Sequence, residues 1–134
     1  MTICYIGIGS NLGDRRKFIE KALESLRKTP GVSVKRVSSI YETDPVSDIP
    51  QGKFLNGVLE IETTLAPRAL LVELNRIEAA LGRKRKLKCA PRTIDLDILY
   101  YGDRIISDEG LVIPHPRISQ REFVLRGLRE LGRA

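Results

Sequence analysis

A chain of 134 residues and 15.1 kDa is the size of one compact domain, and 42% hydrophobic residues at a mean hydropathy of −0.16 suffice to bury a core. No apolar run nears the roughly 18–20 residues that cross a bilayer, and the opening Met1–Ser10 has no basic stretch ahead of its apolar alternation, so neither a membrane span nor a signal peptide is expected. Two cysteines, Cys4 and Cys89, make neither a disulfide framework nor metal spacing; together with the net charge of +6 this predicts a cytoplasmic chain with free thiols, folded as a single domain over residues 1–134.

Thr2 to Gly9 alternates around Ile3, Tyr5, Ile6 and Ile8 and predicts a buried first strand. Gly9-Ser10-Asn11-Leu12-Gly13-Asp14 is turn chemistry without the Gly-Lys-Ser/Thr ending of a Walker A loop; it reads as a structural strand-to-helix turn with Asp14 as N-cap. The helix that follows runs to about Lys28, with Phe18, Ile19, Ala22, Leu23 and Leu26 on one face, and Pro30-Gly31 ends it. Val32 to Tyr41 predicts one further strand. Asp44 to Gly52, with two prolines, two aspartates and a serine, is irregular. Phe54 to Thr64 returns to strand, and Asn56-Gly57, ordinarily a hairpin turn, here follows a loop rather than a strand.

Pro67 opens a second helix whose stripe of Leu70, Leu71, Leu74, Ile77, Ala80 and Leu81 stops at Gly82. The next ten residues hold Arg83, Lys84, Arg85, Lys86, Lys88 and Arg92 and no acid; the remaining 17 cations balance the 17 acids, so this window carries the whole basic excess. One dense loop of this kind implies a local polyanion site rather than a diffuse basic surface. Thr93 to Tyr101 alternates again, Gly102-Asp103 turns, Ile105-Ile106 and Leu111 to Ile113 are short strands, and Arg121 to Leu131 closes as a helix. The order β-α-β-β-α-β predicts an α+β, ferredoxin-like split β-α-β fold: an antiparallel sheet with helices packed on one face.

Asp95-Leu96-Asp97 lies inside a strand pattern, where residues two apart share a face at about 6.5–7 Å. Ile94, Leu96 and Ile98 take the other face. Two carboxylates on an otherwise apolar strand are costly unless compensated, and magnesium, which takes carboxylate oxygens plus substrate phosphates, is one compensation. Bonding to neighbouring arginines or exposure to solvent is the other. The cation-only loop immediately before them favours a phosphoryl-transfer site. Arg83 and Arg92, at its ends, are better placed than the intervening lysines to fork phosphate. There is no Trp and only three Phe; Phe54 and Phe123 sit at loop edges, suited either to a slot for a flat heterocycle read by Asn56 or to capping the core. His115, the single histidine, serves equally as a nucleotide contact or a structural loop residue, and no zinc site or catalytic triad can be built from it.

Gly9-Ser10-Asn11-Leu12-Gly13-Asp14, Tyr41-Glu42-Thr43-x-Pro45, Phe54-Leu55-Asn56, Leu81-Gly82-Arg83-x-Arg85, Pro91-Arg92-Thr93-Ile94-Asp95-Leu96-Asp97-Ile98 and Pro114-His115-Pro116-Arg117, in this order, resemble the 6-hydroxymethyl-7,8-dihydropterin pyrophosphokinases of folate biosynthesis over essentially the whole chain. The resemblance implies transfer of the β,γ-diphosphate of ATP to the pterin hydroxymethyl oxygen with release of AMP. It implies two Mg2+ on Asp95 and Asp97, and Arg83 and Arg92 clamping the phosphates. The sequence offers no unambiguous general base for the alcohol proton, and Asp97 is the candidate acceptor. Phe54 and Phe123 would sandwich the pterin, with Asn56 and the segment Thr43, Pro45, Val46 reading its edges. Glu78, Arg85, Ile98, His115 and Arg121 map to nucleotide-side positions. The Gly13 region, Asp44–Lys53 and Arg83–Pro91 would be lids. The chain departs from the family in Phe54 where some relatives have Tyr, in Cys89 and Pro116 where aromatics occur, and in stopping soon after Leu131.

Two other readings stand beside this one. A ferredoxin-like nucleic-acid-binding module would use the basic loop 83–92, but such RNA readers put aromatics on central strands where this sequence has acids. A small-molecule binding domain without catalysis would need neither both aspartates nor both arginines. The pyrophosphokinase reading leads, with ATP and the dihydropterin as partners and no nucleic acid, membrane or obligate protein partner.

Overall fold

The computed structural model describes residues 1–45, 50–82 and 92–133. Its elements are β1 (Thr2–Ser10), α1 (Arg15–Lys28), β2 (Val32–Val37), β3 (Tyr41–Thr43), β4 (Phe54–Thr63), α2 (Pro67–Ala80), β5 (Asp95–Tyr101), β6 (Ile106–Asp108), β7 (Leu111–Ile113), a single 3-10 turn at Ile118–Gln120, and α3 (Glu122–Glu130). Asp14 caps α1 by accepting the Lys17 amide at 3.2 Å, and Arg27 and Lys28 complement the dipole in its last turn. Pro67 occupies the first turn of α2, where its missing N–H costs nothing. Gly82, just beyond α2, has φ +86, a conformation that stops the helix and that side chains disfavour.

The main sheet is antiparallel in the order β2-β4-β1-β5, with β3 also pairing β4; β6 and β7 form a separate hairpin. The expected single strand Val32–Tyr41 is in fact two. β2 shifts register between Val34 and Arg36, and pairing moves from Val37↔Leu59 to Tyr41↔Asn56, which inserts one further residue on this side. In the gap, Ser38 replaces the ladder: its amide donates to Val58 O at 2.9 Å, and its hydroxyl accepts the Val58 amide at 2.8 Å. Asn56-Gly57 is interior to β4, not a turn. A Cβ on Gly57 would fall 2.4 Å from Ile40 Cδ1, so the glycine is there to admit Ile40.

Helices cover both faces of the sheet, which corrects the expectation of one. Ile6, Ile8, Leu59, Ile61, Leu96 and Ile98 face Ile19, Ala22 and Leu26 of α1 and Leu70, Leu74 and Ile77 of α2. Each such side chain contributes about 1.5–3 kcal/mol on full burial. On the opposite face Tyr5, Val58 and Leu99 pack against Ile118, Val124, Leu128 and Leu131. The physical reason is the amphipathic spacing of α3: Val124 and Leu128 need a second apolar surface, and Val58 and Leu99 provide it.

α3 lies close on β4. A Cβ on Gly127 would meet Val58 Cγ2 at 2.5 Å. The Tyr41 hydroxyl donates to the Phe123 carbonyl, the Arg126 guanidinium stacks 4.3 Å from the Tyr41 ring centre, and Ser39 donates from amide and hydroxyl to Glu130 at 2.8 and 2.7 Å. Because α3 is short it covers one end of this face and leaves open the end where β1, β4 and β5 carry Gly7, Gly9, Asn56, Asp95 and Asp97. Among the described residues, no helix is long and apolar enough to cross a membrane.

Candidate active site

Register across three strands builds the floor of the open end. Asn56, Gly9 and Asp95 form one row, and Val58, Gly7 and Asp97 the next. Ile94, Leu96 and Ile98 are 0, 4 and 5% exposed in the core beneath, so strand alternation turns Asp95 and Asp97 together to the other side. Both line a cavity of about 370 Å³, as do Thr43, Pro45, Phe54, Asn56, Arg92, His115, Arg121 and Phe123. Residues drawn from five separate stretches of the chain thus meet in one place.

The central strand contributes backbone only. A Cβ on Gly9 would lie 2.4 Å from Asn56 Oδ1 and 3.4 Å from Phe54 Cδ1, so the absent side chain is the space in which the Asn56 amide sits. Asn56 is buried, and its Nδ2 donates to the Thr43 hydroxyl. The sequence places Gly9 where the first strand passes into a turn, with no role in the site; the discoverable signal is two glycines with period two, Gly7 and Gly9, on a strand otherwise rich in isoleucine.

Arg92 reaches Asp95 at 2.8 Å, Nη1 to Oδ2, with the two side chains 22 and 15% exposed. The backbone of Arg92 is held independently. Asn11 Oδ1 accepts its amide at 2.8 Å, and the Asn11 amide donates to its carbonyl at 3.1 Å. The Asn11 Nδ2 donates to Gln51 Oε1 at 2.6 Å and to Gly52 O at 3.1 Å. Asn11 therefore joins the end of β1, the segment before β4 and Arg92, three residues ahead of β5. Neither it nor Gln51 was singled out from sequence, because an asparagine among turn residues looks like turn chemistry.

Arg121 precedes α3 and lies 5.9 Å from the Phe123 ring centre. His115 Nδ1 accepts the Arg117 amide at 3.1 Å, which places the proton of the neutral ring on Nε2. Burial, then the Arg121 and Arg117 guanidiniums, push its pKa below the ordinary 6.5, with Asp95 pulling partly back. With a folded pKa below the unfolded one, the unfolded chain binds the proton first. Stability is then fully present above pH 6.5 and declines as pH falls from there towards the folded value. Thermal melts from pH 7.5 to 5 should show this decline, and His115→Asn should flatten it; an equally steep decline in the variant would contradict the assignment.

Not every sequence-derived site residue is here. Glu78 and Ile98, assigned to the nucleotide by resemblance, have their side chains in the core and do not line the cavity; Glu78 is 2% exposed on α2. Val46, Arg83 and Arg85 lie outside the described residues, as do Cys89 and most of the basic loop. Among the described residues there is no cluster of three or more His, Cys, Asp or Glu suited to an ion. Two aspartates on one open face fit a hard cation whose other ligands come from substrate phosphates and water, which is how Mg2+ is commonly held.

A family model described as 7,8-dihydro-6-hydroxymethylpterin-pyrophosphokinase (HPPK) matches residues 5–133. The chain is 47% identical over 129 residues to the 2-amino-4-hydroxy-6-hydroxymethyldihydropteridine pyrophosphokinase of Bacillus subtilis, covering 96% of this chain and 77% of that one. It is 40% identical over 131 residues to the Bifunctional protein FolKE of Lactococcus lactis, covering 98% of this chain but only 38% of the longer protein. Plasmodium falciparum HPPK-DHPS, solved with pteroate, superposes with a TM-score of 0.74 at 15% identity over 96% of this chain and 38% of that one; at such identity the likeness is one of fold.

Proposed function

We infer how the cavity works from one premise: the chain belongs to the 7,8-dihydro-6-hydroxymethylpterin-pyrophosphokinase family. Its activity is pyrophosphoryl transfer from ATP to the hydroxymethyldihydropterin. In that reaction a bond forms between the pterin hydroxymethyl oxygen and Pβ, the bond from Pβ to the α,β-bridging oxygen breaks, AMP departs with that oxygen, and the alcohol gives up its proton. The residues must therefore hold a flat ring, a triphosphate and a proton acceptor in one line.

The observation that carries the assignment of roles is the single cavity lined by Asp95, Asp97, Arg92, Asn56, Phe54 and Phe123. Phe54 and Phe123 sandwich the pterin, the Asn56 amide, braced on Thr43, reads its polar edge, and the chain at Thr43, Pro45 and Val46 completes the recognition. Asp95 and Asp97 would hold two Mg2+, which when bound would neutralise the charge of the triphosphate and polarise the reacting oxygens. Arg92 forks the phosphates and Arg83 does so from the basic loop, while Arg85, His115 and Arg121 serve the nucleotide side. Asp97 accepts the alcohol proton late in the transfer. The nucleic-acid reading loses support, because on the cavity face central β1 shows only Gly7 and Gly9, neighbouring β5 shows Asp95 and Asp97, and Phe54 at the start of β4 is the one aromatic these strands offer the cavity, where RNA readers show two or three.

Mixing the chain with MgATP and 6-hydroxymethyl-7,8-dihydropterin should yield AMP in step with pterin diphosphate. ADP in its place, or no product, overturns the reading. Gly9→Ala is a sharper probe of the pterin half. The new methyl displaces the Asn56 amide from Thr43, so the KM for dihydropterin should rise by about tenfold or more, the loss of one or two buried hydrogen bonds. The affinity for ATP should hardly move, and a loss shared equally by both substrates would be the wrong result.

A further inference from the structure

We propose that Glu78 is a positioning residue, its buried carboxylate fixing the Leu96 amide and thereby aiming Asp95 and Asp97 into the cavity; this rests on the role proposed above for the two aspartates. β5 ends the order β2-β4-β1-β5 and so, among the described residues, has one ladder partner in the sheet. In an antiparallel pair, alternate residues turn their amides towards the neighbour and the others turn away. Leu96 stands opposite Ile8, and its amide donates instead to Glu78 Oε2 at 2.8 Å.

Leu96 is the residue between the aspartates, so its two peptide planes carry Asp95 on one side and Asp97 on the other. Any rotation there moves both carboxylates at once. Glu78 and Leu96 are 2 and 4% exposed. Burying a carboxyl group costs free energy unless it is hydrogen-bonded, and the Leu96 amide supplies such a bond at 2.8 Å. It acts at the start of the strand that ends the sheet order. Glu78 thus serves the site without lining it: α2, packed on the opposite face, sets the aim of the residues that look into the cavity.

Glu78→Met keeps the volume and removes the acceptor, and Glu78→Gln keeps the acceptor. Three quantities separate the possibilities: Mg2+ half-saturation for binding of an α,β-methylene analogue of ATP by calorimetry, dihydropterin affinity, and hydrogen exchange at the Leu96 amide. Glu78→Met should raise the Mg2+ half-saturation about tenfold or more and speed Leu96 exchange, with dihydropterin affinity within about twofold. Glu78→Gln should restore most of the Mg2+ response. Unchanged exchange and Mg2+ response in Glu78→Met, or equal loss of pterin and Mg2+ binding, overturns the proposal. If Glu78→Met does not fold, Glu78→Gln decides: a tenfold Mg2+ shift with the acceptor retained overturns it, and a near-normal response supports it. Failure of the wild-type chain to make AMP is a separate result that strikes the functional reading, while Leu96 exchange still reports on the bond.

Discussion

Asp97→Asn should lower kcat by about a thousandfold and leave dihydropterin binding within about twofold, since general acid–base and electrostatic contributions each reach 10²–10⁴-fold. The amide has the shape of the carboxylate, so packing on the cavity face does not change. What changes is one negative charge and one acceptor, at a position that strand alternation turns towards the cavity with Asp95. Raising Mg2+ separates the two duties proposed for the residue. If Asp97 only helps hold the ion, saturating Mg2+ restores the rate; if it also takes the alcohol proton, a deficit of about a hundredfold persists at saturation. Steady-state rates across a Mg2+ series, with pterin binding measured alongside, decide this. Normal metal binding together with a normal rate would end both roles.

The Asp95-x-Asp97 pair was legible because the strand period is a local property: whichever partner β5 takes, residues two apart look the same way. The same holds for the start of α1 at Asp14 and of α2 at Pro67, where the signal and its effect lie within one turn. What was not legible depends on partners far along the chain. Val32–Tyr41 alternates well enough to pass for one strand, and the break comes from Ser38 bonding to Val58. Gly9 looks like turn chemistry until Asn56 is seen occupying its missing side chain. Asn11 looks like another turn residue until Gln51 and Arg92 arrive on either side of it. The face taken by α3 follows from Val58 and Leu99, and no property of the helix alone says which side of the sheet offers them. Glu78 is the most instructive case. The resemblance assigns it to the nucleotide side; its side chain is buried and accepts the Leu96 amide at 2.8 Å, a link to β5 that no local pattern in α2 announces.

Arg92→Ala should also cost about a thousandfold in kcat, with dihydropterin affinity retained, because an arginine aimed at transferring phosphate stabilises charge that grows only in the transition state. Arg92→Lys should recover little of it, since an ammonium lacks the planar fork that grips two oxygens. The structure adds a second, independent expectation. Arg92 is paired with Asp95 at 2.8 Å, and both side chains are mostly buried, so removing the guanidinium leaves a half-buried carboxylate without this partner. Arg92→Ala should therefore destabilise by about 1 kcal/mol or more, an amount between those of exposed and buried pairs. Arg92→Ala with Asp95→Asn should destabilise by less than the two single changes added together, since each alone already removes their shared contact. Activity should behave in the opposite way: the double variant gains nothing back, because phosphate grip and cation binding are both gone. Denaturant titrations of the four chains of this cycle, paired with AMP formation rates, give the comparison. Additive stability changes would mean that the pair contributes nothing to the resting fold. A recovered rate in the double variant would mean that Arg92 serves the reaction only by shielding Asp95, and the phosphate-gripping role would have to be given up.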